Sequence, residues 1–116
     1  MTLNVRFGEL LKEGIGSVSL RQGRTEQAVE REIAEKLGYT RHNIERWKYR
    51  NHVPKEPEHV AFLVRYCVTY GRLDRVWARN ILNAAHYDGS ENLLEELFGL
   101  AVNSNSNVIT FYQVKN

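Results

Sequence analysis

The sequence predicts an all-α fold, a bundle of five to six helices containing a helix-turn-helix, with a short β segment at the C-terminus. Three observations carry this prediction. Apolar residues recur at spacings of three and four along the first 98 residues, the period of one helix face. Glycines, prolines and the capping residues Thr, Asp and Ser interrupt that period at helix-length intervals. The polar run Asn103 to Asn107 (NSNSN) then breaks the pattern, and the VITFYQV after it is rich in β-formers.

The first helix carries Leu3, Phe7, Leu10 and Leu11 on one stripe, and Gly14 and Gly16 are expected to end it. Gly14 to Arg24, with three glycines and two serines, reads as a loop or a broken helical turn. Thr25 is the N-cap of a second helix, with Glu26 and Glu30 at its positive end and Val29, Ile33, Ala34 and Leu37 facing inward. Gly38 ends this helix. Tyr39 separates it from Thr40, the N-cap of a third helix over Arg41 to Arg50 with Ile44 and Trp47 inward. Both prolines fall in the loop that follows, and Pro57 opens a fourth helix to Tyr70. Val60, Phe62, Leu63, Val64, Tyr66, Cys67 and Val68 cover most of its circumference, which predicts the central buried helix, ended by Gly71. Asp74 caps a fifth helix with Val76, Trp77, Ile81, Leu82 and Ala85 inward. Ser90 caps a short sixth with Leu93, Leu94, Leu97 and Phe98 apolar.

This divides the chain into a helical domain over 1–98 and a polar linker with a β segment over 99–116. An isolated strand is not stable. It could pair with 99–102, with another chain or with a further domain, and the abrupt ending suggests a fragment or a small stand-alone regulator. The chain is 116 residues long, enough for one domain with a real core. A hydrophobic fraction of 42% with 26% charged residues places it among ordinary globular proteins. Cys67 is the only cysteine, so no intramolecular disulfide forms. The N-terminus lacks a signal-peptide pattern, and the apolar run from Val60 to Tyr70 is interrupted by Arg65 and too short to span a bilayer, which predicts a cytoplasmic protein without a membrane partner.

The net charge is only +2, but its distribution is uneven. Arg41, Arg46, Lys48, Arg50 and Lys55 face a single acid, Glu45, between residues 41 and 55. Two helices joined by a short glycine-containing turn form a helix-turn-helix, whose second helix fits the DNA major groove. The outward residues of the third helix are expected to be Arg41, His42, Asn43, Glu45, Arg46, Lys48, Tyr49 and Arg50. Of these, Arg41, His42, Asn43 and Arg46 suit base edges, whereas Lys48, Tyr49, Arg50, His52 and Lys55 suit the phosphate backbone. DNA binding needs a contiguous positive patch on this face, with Glu45 turned away, whereas a partner-binding module is expected to show a mixed or apolar patch elsewhere.

The segment Ile33 to Pro54 resembles the phage-repressor-like (XRE-type) helix-turn-helix family, through Ile33, Ala34, Gly38, Thr40, Ile44, Trp47 and Pro54. The resemblance implies this fold and DNA binding. It departs from the family where a helix-two glutamine usually touches phosphate, a place held here by Glu30; Lys48 replaces the acid that often follows the tryptophan, and Asn51 the usual glycine. A second stretch, PEHVAFLVRYCVTYGRLDRVWARNILNAAHY, looks like the helical extension after such a domain in bacterial STAND-type NTPase signalling proteins. That likeness implies an N-terminal module, with any NTPase outside these residues.

Other chemistry finds little support. His42, His52, His59, His86 and Cys67 show no metal-ligand spacing. Glu95 and Glu96 are adjacent and point to different sides of a helix. Ser17 and Ser19 lack a nucleophile-elbow context. The expectation is no enzyme, no cofactor and no metal. Two functions remain: binding of duplex DNA through the third helix, as a monomer or homodimer, as in transcription regulators; or a protein-interaction adaptor without DNA binding, recruiting a protein partner or further domain.

Overall fold

The computed structural model describes residues 5–50 and 52–99, a single bundle of six helices with no strand among the described residues. They are α1 (Val5–Gln22), α2 (Glu26–Leu37), α3 (Arg41–Tyr49), α4 (Pro57–Gly71), α5 (Arg75–Ala84) and α6 (Ser90–Phe98). Leu3, Asn51 and the expected β segment with its NSNSN linker lie outside the described residues. No described helix is long and apolar enough to cross a membrane.

α1 is the axis of the bundle, packing against α2, α3, α4 and α5, while α6 closes the far side on α4 and α5. Phe7, Leu11, Ile15 and Val18 of α1 are fully buried, and they meet Ile33, Ile44, Leu63, Ile81 and Leu94 in one continuous core. The buried stripe of α1 therefore runs on past the point where the sequence predicted its end. Gly14 and Gly16 do not break the helix. At Gly14 an added Cβ would lie 2.7 Å from Trp77 Cζ2 and 2.9 Å from Cys67 Sγ, so this glycine lets α5 and α4 approach the α1 backbone. Trp77 uses that approach to donate its indole N–H to the Leu10 carbonyl at 3.0 Å.

The expected caps are mostly present. The Thr25 hydroxyl accepts from the Ala28 amide at 3.0 Å, and Asp74 accepts from the Trp77 amide at 2.9 Å. α2 ends in a Schellman turn: Gly38 sits at φ 78°, its amide donates to the Glu35 carbonyl, and the Tyr39 amide donates to the Ala34 carbonyl at 2.8 Å. Other ends differ from expectation. Thr40 precedes α3, but its hydroxyl reaches the Asn43 side chain at 3.3 Å instead of a helix amide. Gly71 is the last residue of α4, and Arg72 takes the left-handed position at φ 57°. Gly89 holds the cap position of α6 at φ 82°, while Ser90 starts the helix and donates to the Tyr87 carbonyl. Val76 is 62% exposed, because Trp77, Ala78, Ile81 and Leu82 fill the inner face of α5.

Candidate nucleic-acid interface

The Schellman turn at Gly38 sends the chain sharply into α3, and Tyr39 pins the turn. Its ring packs edge-on against Trp47 of α3 and His59 of α4, with centroids 5.4 Å and 5.2 Å away. The Tyr39 hydroxyl and His59 Nδ1 share a hydrogen bond of 3.1 Å. Ile44 and Trp47 anchor the inner side of α3 in the core. Gly8 brings α1 against the same helix: a Cβ there would lie 2.6 Å from the Lys48 carbonyl oxygen. The helix is thus held directly by α1 and α2, and through Tyr39 by α4, and its opposite face is exposed.

The exposed face carries His42, Arg46, Tyr49 and Arg50, one residue or pair per helical turn. With Glu45 these side chains line a shallow concavity of about 260 Å³. Arg46 also faces a neighbouring cleft of about 560 Å³ between α3 and the loop before α4, where Asn43, His52 and Lys55 are gathered with Glu56. Seven of the nine predicted residues (His42, Asn43, Arg46, Tyr49, Arg50, His52 and Lys55) are therefore found on two adjoining surfaces that meet at Arg46.

Lys48 and Arg41 are placed otherwise. Lys48 is 6% exposed and donates to Glu30, itself 3% exposed, across the α2–α3 contact; Glu26 lies 3.8 Å away. The outward placement of Lys48 is thus overturned, and its ammonium cannot reach a phosphate without leaving a buried carboxylate unpaired. Burial opposes the Lys48 charge, but the hydrogen bond and charge of Glu30 outweigh it and hold the ammonium above its ordinary value. Glu30, standing where the resembled family has glutamine, is likewise spent inside the protein. Arg41 is half-buried, with Nη2 bound to Glu45 at 2.5 Å and Nε 3.4 Å from Glu30. Glu45 does not turn away from the face. It lies on it, and the Arg41 guanidinium holds its carboxyl below the usual carboxylate range.

Lys12 lies outside the nine expected residues and reaches the same face. Its ammonium stands 4.9 Å from the Tyr49 ring centroid, one helical turn beyond Gly8, and adds a cation at the C-terminal end of the α3 face. The available signal was the spacing from Gly8, legible only once α1 and α3 are known to touch there. Compared with known proteins, the chain matches no family model, no curated sequence and no solved structure.

Proposed function

We propose that this chain is a DNA-binding helix-turn-helix module of the phage-repressor-like type, acting in the cytoplasm as a transcription regulator or as the DNA-binding part of a signalling protein. The observation that carries the reading is the exposed stripe His42, Arg46, Tyr49 and Arg50 on a helix whose other side is pinned in the core, continued by Asn43, His52 and Lys55 across one cleft. Arginine matches guanine in the major groove, asparagine matches adenine, and the residues at the end of α3 and in the loop suit phosphates. The reading assigns no catalytic step and no cofactor.

The test is a titration of labelled random duplex at several salt concentrations. Phosphate-driven binding weakens with a log–log slope of roughly −0.9 per neutralised phosphate. Arg46→Ala/Arg50→Ala/Lys55→Ala is expected to weaken binding and flatten the slope. A folded protein that binds no duplex at low salt would overturn the reading.

One observation favours a second reading, an adaptor module of a STAND-type signalling or defence protein. Phe62, Tyr66 and Tyr70 form an aromatic row along α4, with successive centroids 5.8 Å and 4.9 Å apart. With Lys36, Arg65 and Thr69 they line an apolar groove of about 280 Å³ that shares no residue with the two α3 surfaces. Such a groove suits a protein partner.

A further inference from the structure

Glu45 is the feature of the α3 face that non-specific attraction to phosphate does not explain. A partly exposed carboxylate beside His42 and Arg46 repels the phosphate backbone and weakens binding to every duplex equally. It is also held in place. The Arg41 guanidinium binds its Oε2 at 2.5 Å from four residues earlier, and Arg41 is itself backed by buried Glu30 at 3.4 Å. Two acids and one arginine thus form a chain, Glu30–Arg41–Glu45, that runs from the core to the surface and fixes the outermost carboxylate. Only one of its oxygens is bound by Arg41 in a hydrogen bond, which leaves acceptor capacity free toward solvent. Among the groups displayed in the major groove, the donors are the cytosine N4 amino and the adenine N6 amino, and a carboxylate suits the cytosine donor.

We infer that Glu45 is a specificity-determining residue that reads a cytosine amino group in the major groove, with Arg41 as the residue that positions it. The inference rests on the proposed DNA binding and goes beyond it by naming the base and the residue. The fixed carboxylate gains a hydrogen bond at the correct site and repels phosphate at all others, so it sharpens discrimination from both directions. Arg41 accordingly moves from reading bases to holding a reader. Arg46, next along the exposed face, keeps the guanine contact.

The experiment is selection of binding sites from a randomised duplex pool with the wild type, Glu45→Gln and Glu45→Ala, alongside direct titration of each on random duplex. Glu45 is partly exposed, so these variants remain folded, which their melting curves check. The wild type is expected to fix a cytosine at one position. Glu45→Gln shifts that position toward adenine, the base that glutamine suits, and Glu45→Ala leaves it undetermined, while the rest of the site is unchanged in both. The loss at that position is roughly tenfold, and both variants bind random duplex more tightly than the wild type. Arg41→Ala weakens the same single preference in part. Identical selected sites for the wild type and both Glu45 variants would overturn the inference while leaving DNA binding intact. Absence of duplex binding by the wild type would overturn both, and the titration separates the two cases.

Discussion

Lys48→Met is the sharpest perturbation of the α2–α3 contact. It keeps the length and apolar stem of the side chain and removes the charge, leaving Glu30 3% exposed without its principal partner. Removing one member of a buried pair typically costs about 3–5 kcal/mol, because the remaining charge is desolvated and uncompensated. Arg41 Nε, 3.4 Å from Glu30, compensates in part, which places the expected loss near the lower end, at about 3 kcal/mol. For a domain of this size each kcal/mol shifts the melting temperature by roughly 4–8 °C, so the variant is expected to melt about 12–24 °C below the wild type. Replacing both members, as Glu30→Leu/Lys48→Met, removes the buried charges together and is expected to restore stability to within about 1 kcal/mol. Thermal and urea denaturation followed by circular dichroism measure this directly, with exposed Arg46→Ala as a control that stays within about 0.5 kcal/mol of the wild type. The reasoning is refuted if Lys48→Met melts with the wild type and instead loses affinity for duplex DNA. That result would place Lys48 on the surface, as the sequence alone suggests.

Gly14 and Gly16 predict opposite responses to the same substitution. Gly14→Ala drives a Cβ against Trp77 and Cys67, and overpacking of about 1–3 kcal/mol outweighs a gain of about 1 kcal/mol in helix propensity. At Gly16 the nearest atom to a new Cβ is Glu26 Oε2 at 3.5 Å, so Gly16→Ala keeps the propensity gain and raises the melting temperature. Shifts of the same sign in urea midpoint would contradict a continuous α1. His86 ends α5 at φ 56° while exposed, with the Tyr87 amide donating to the Leu82 carbonyl, so His86→Gly removes about 1 kcal/mol of backbone strain and stabilises the fold; a lower melting temperature would refute this. The Arg24 guanidinium, and after it the Tyr66 hydroxyl, hold the Glu32 carboxyl below its ordinary value of 4.5. A depressed folded value means that the contribution is present above pH 4.5 and lost as pH falls through the folded value. Urea midpoints are therefore expected to drop on acidification below pH 4.5, and less steeply in Glu32→Gln; equal acid slopes for the two proteins would contradict the assignment.

Local signals were legible in the sequence, and long-range ones were not. Thr25, Gly38 and Asp74 mark helix ends through chemistry completed within a few residues, and all three act as expected. Gly14 carries no such local mark. Its meaning is set by Trp77 and Cys67, more than fifty residues away, and a glycine that admits a neighbouring helix reads the same as one that ends its own. Lys48 is the instructive case on the candidate site. It stands four residues after Ile44 and one after Trp47, squarely on the inward stripe of α3, but its charge suggested solvent. Glu30 occupies the matching position beside Val29 and three residues before Ile33 on α2. Opposite charges on the facing stripes of consecutive helices were the available sign of a buried pair. Arg46 and Arg50 are exposed, as expected, because they stand off that stripe, where helical period and polarity agree.

Amide chemical-shift mapping of the labelled chain with a short duplex tests the central claim most directly, since it reports which face is touched as well as whether binding occurs. The largest salt-sensitive shifts are expected on His42, Arg46, Tyr49, Arg50, His52 and Lys55, with Phe62, Tyr66 and Tyr70 unmoved. Shifts confined to the Phe62–Tyr70 row, or no shifts at low salt in a folded protein, would contradict it.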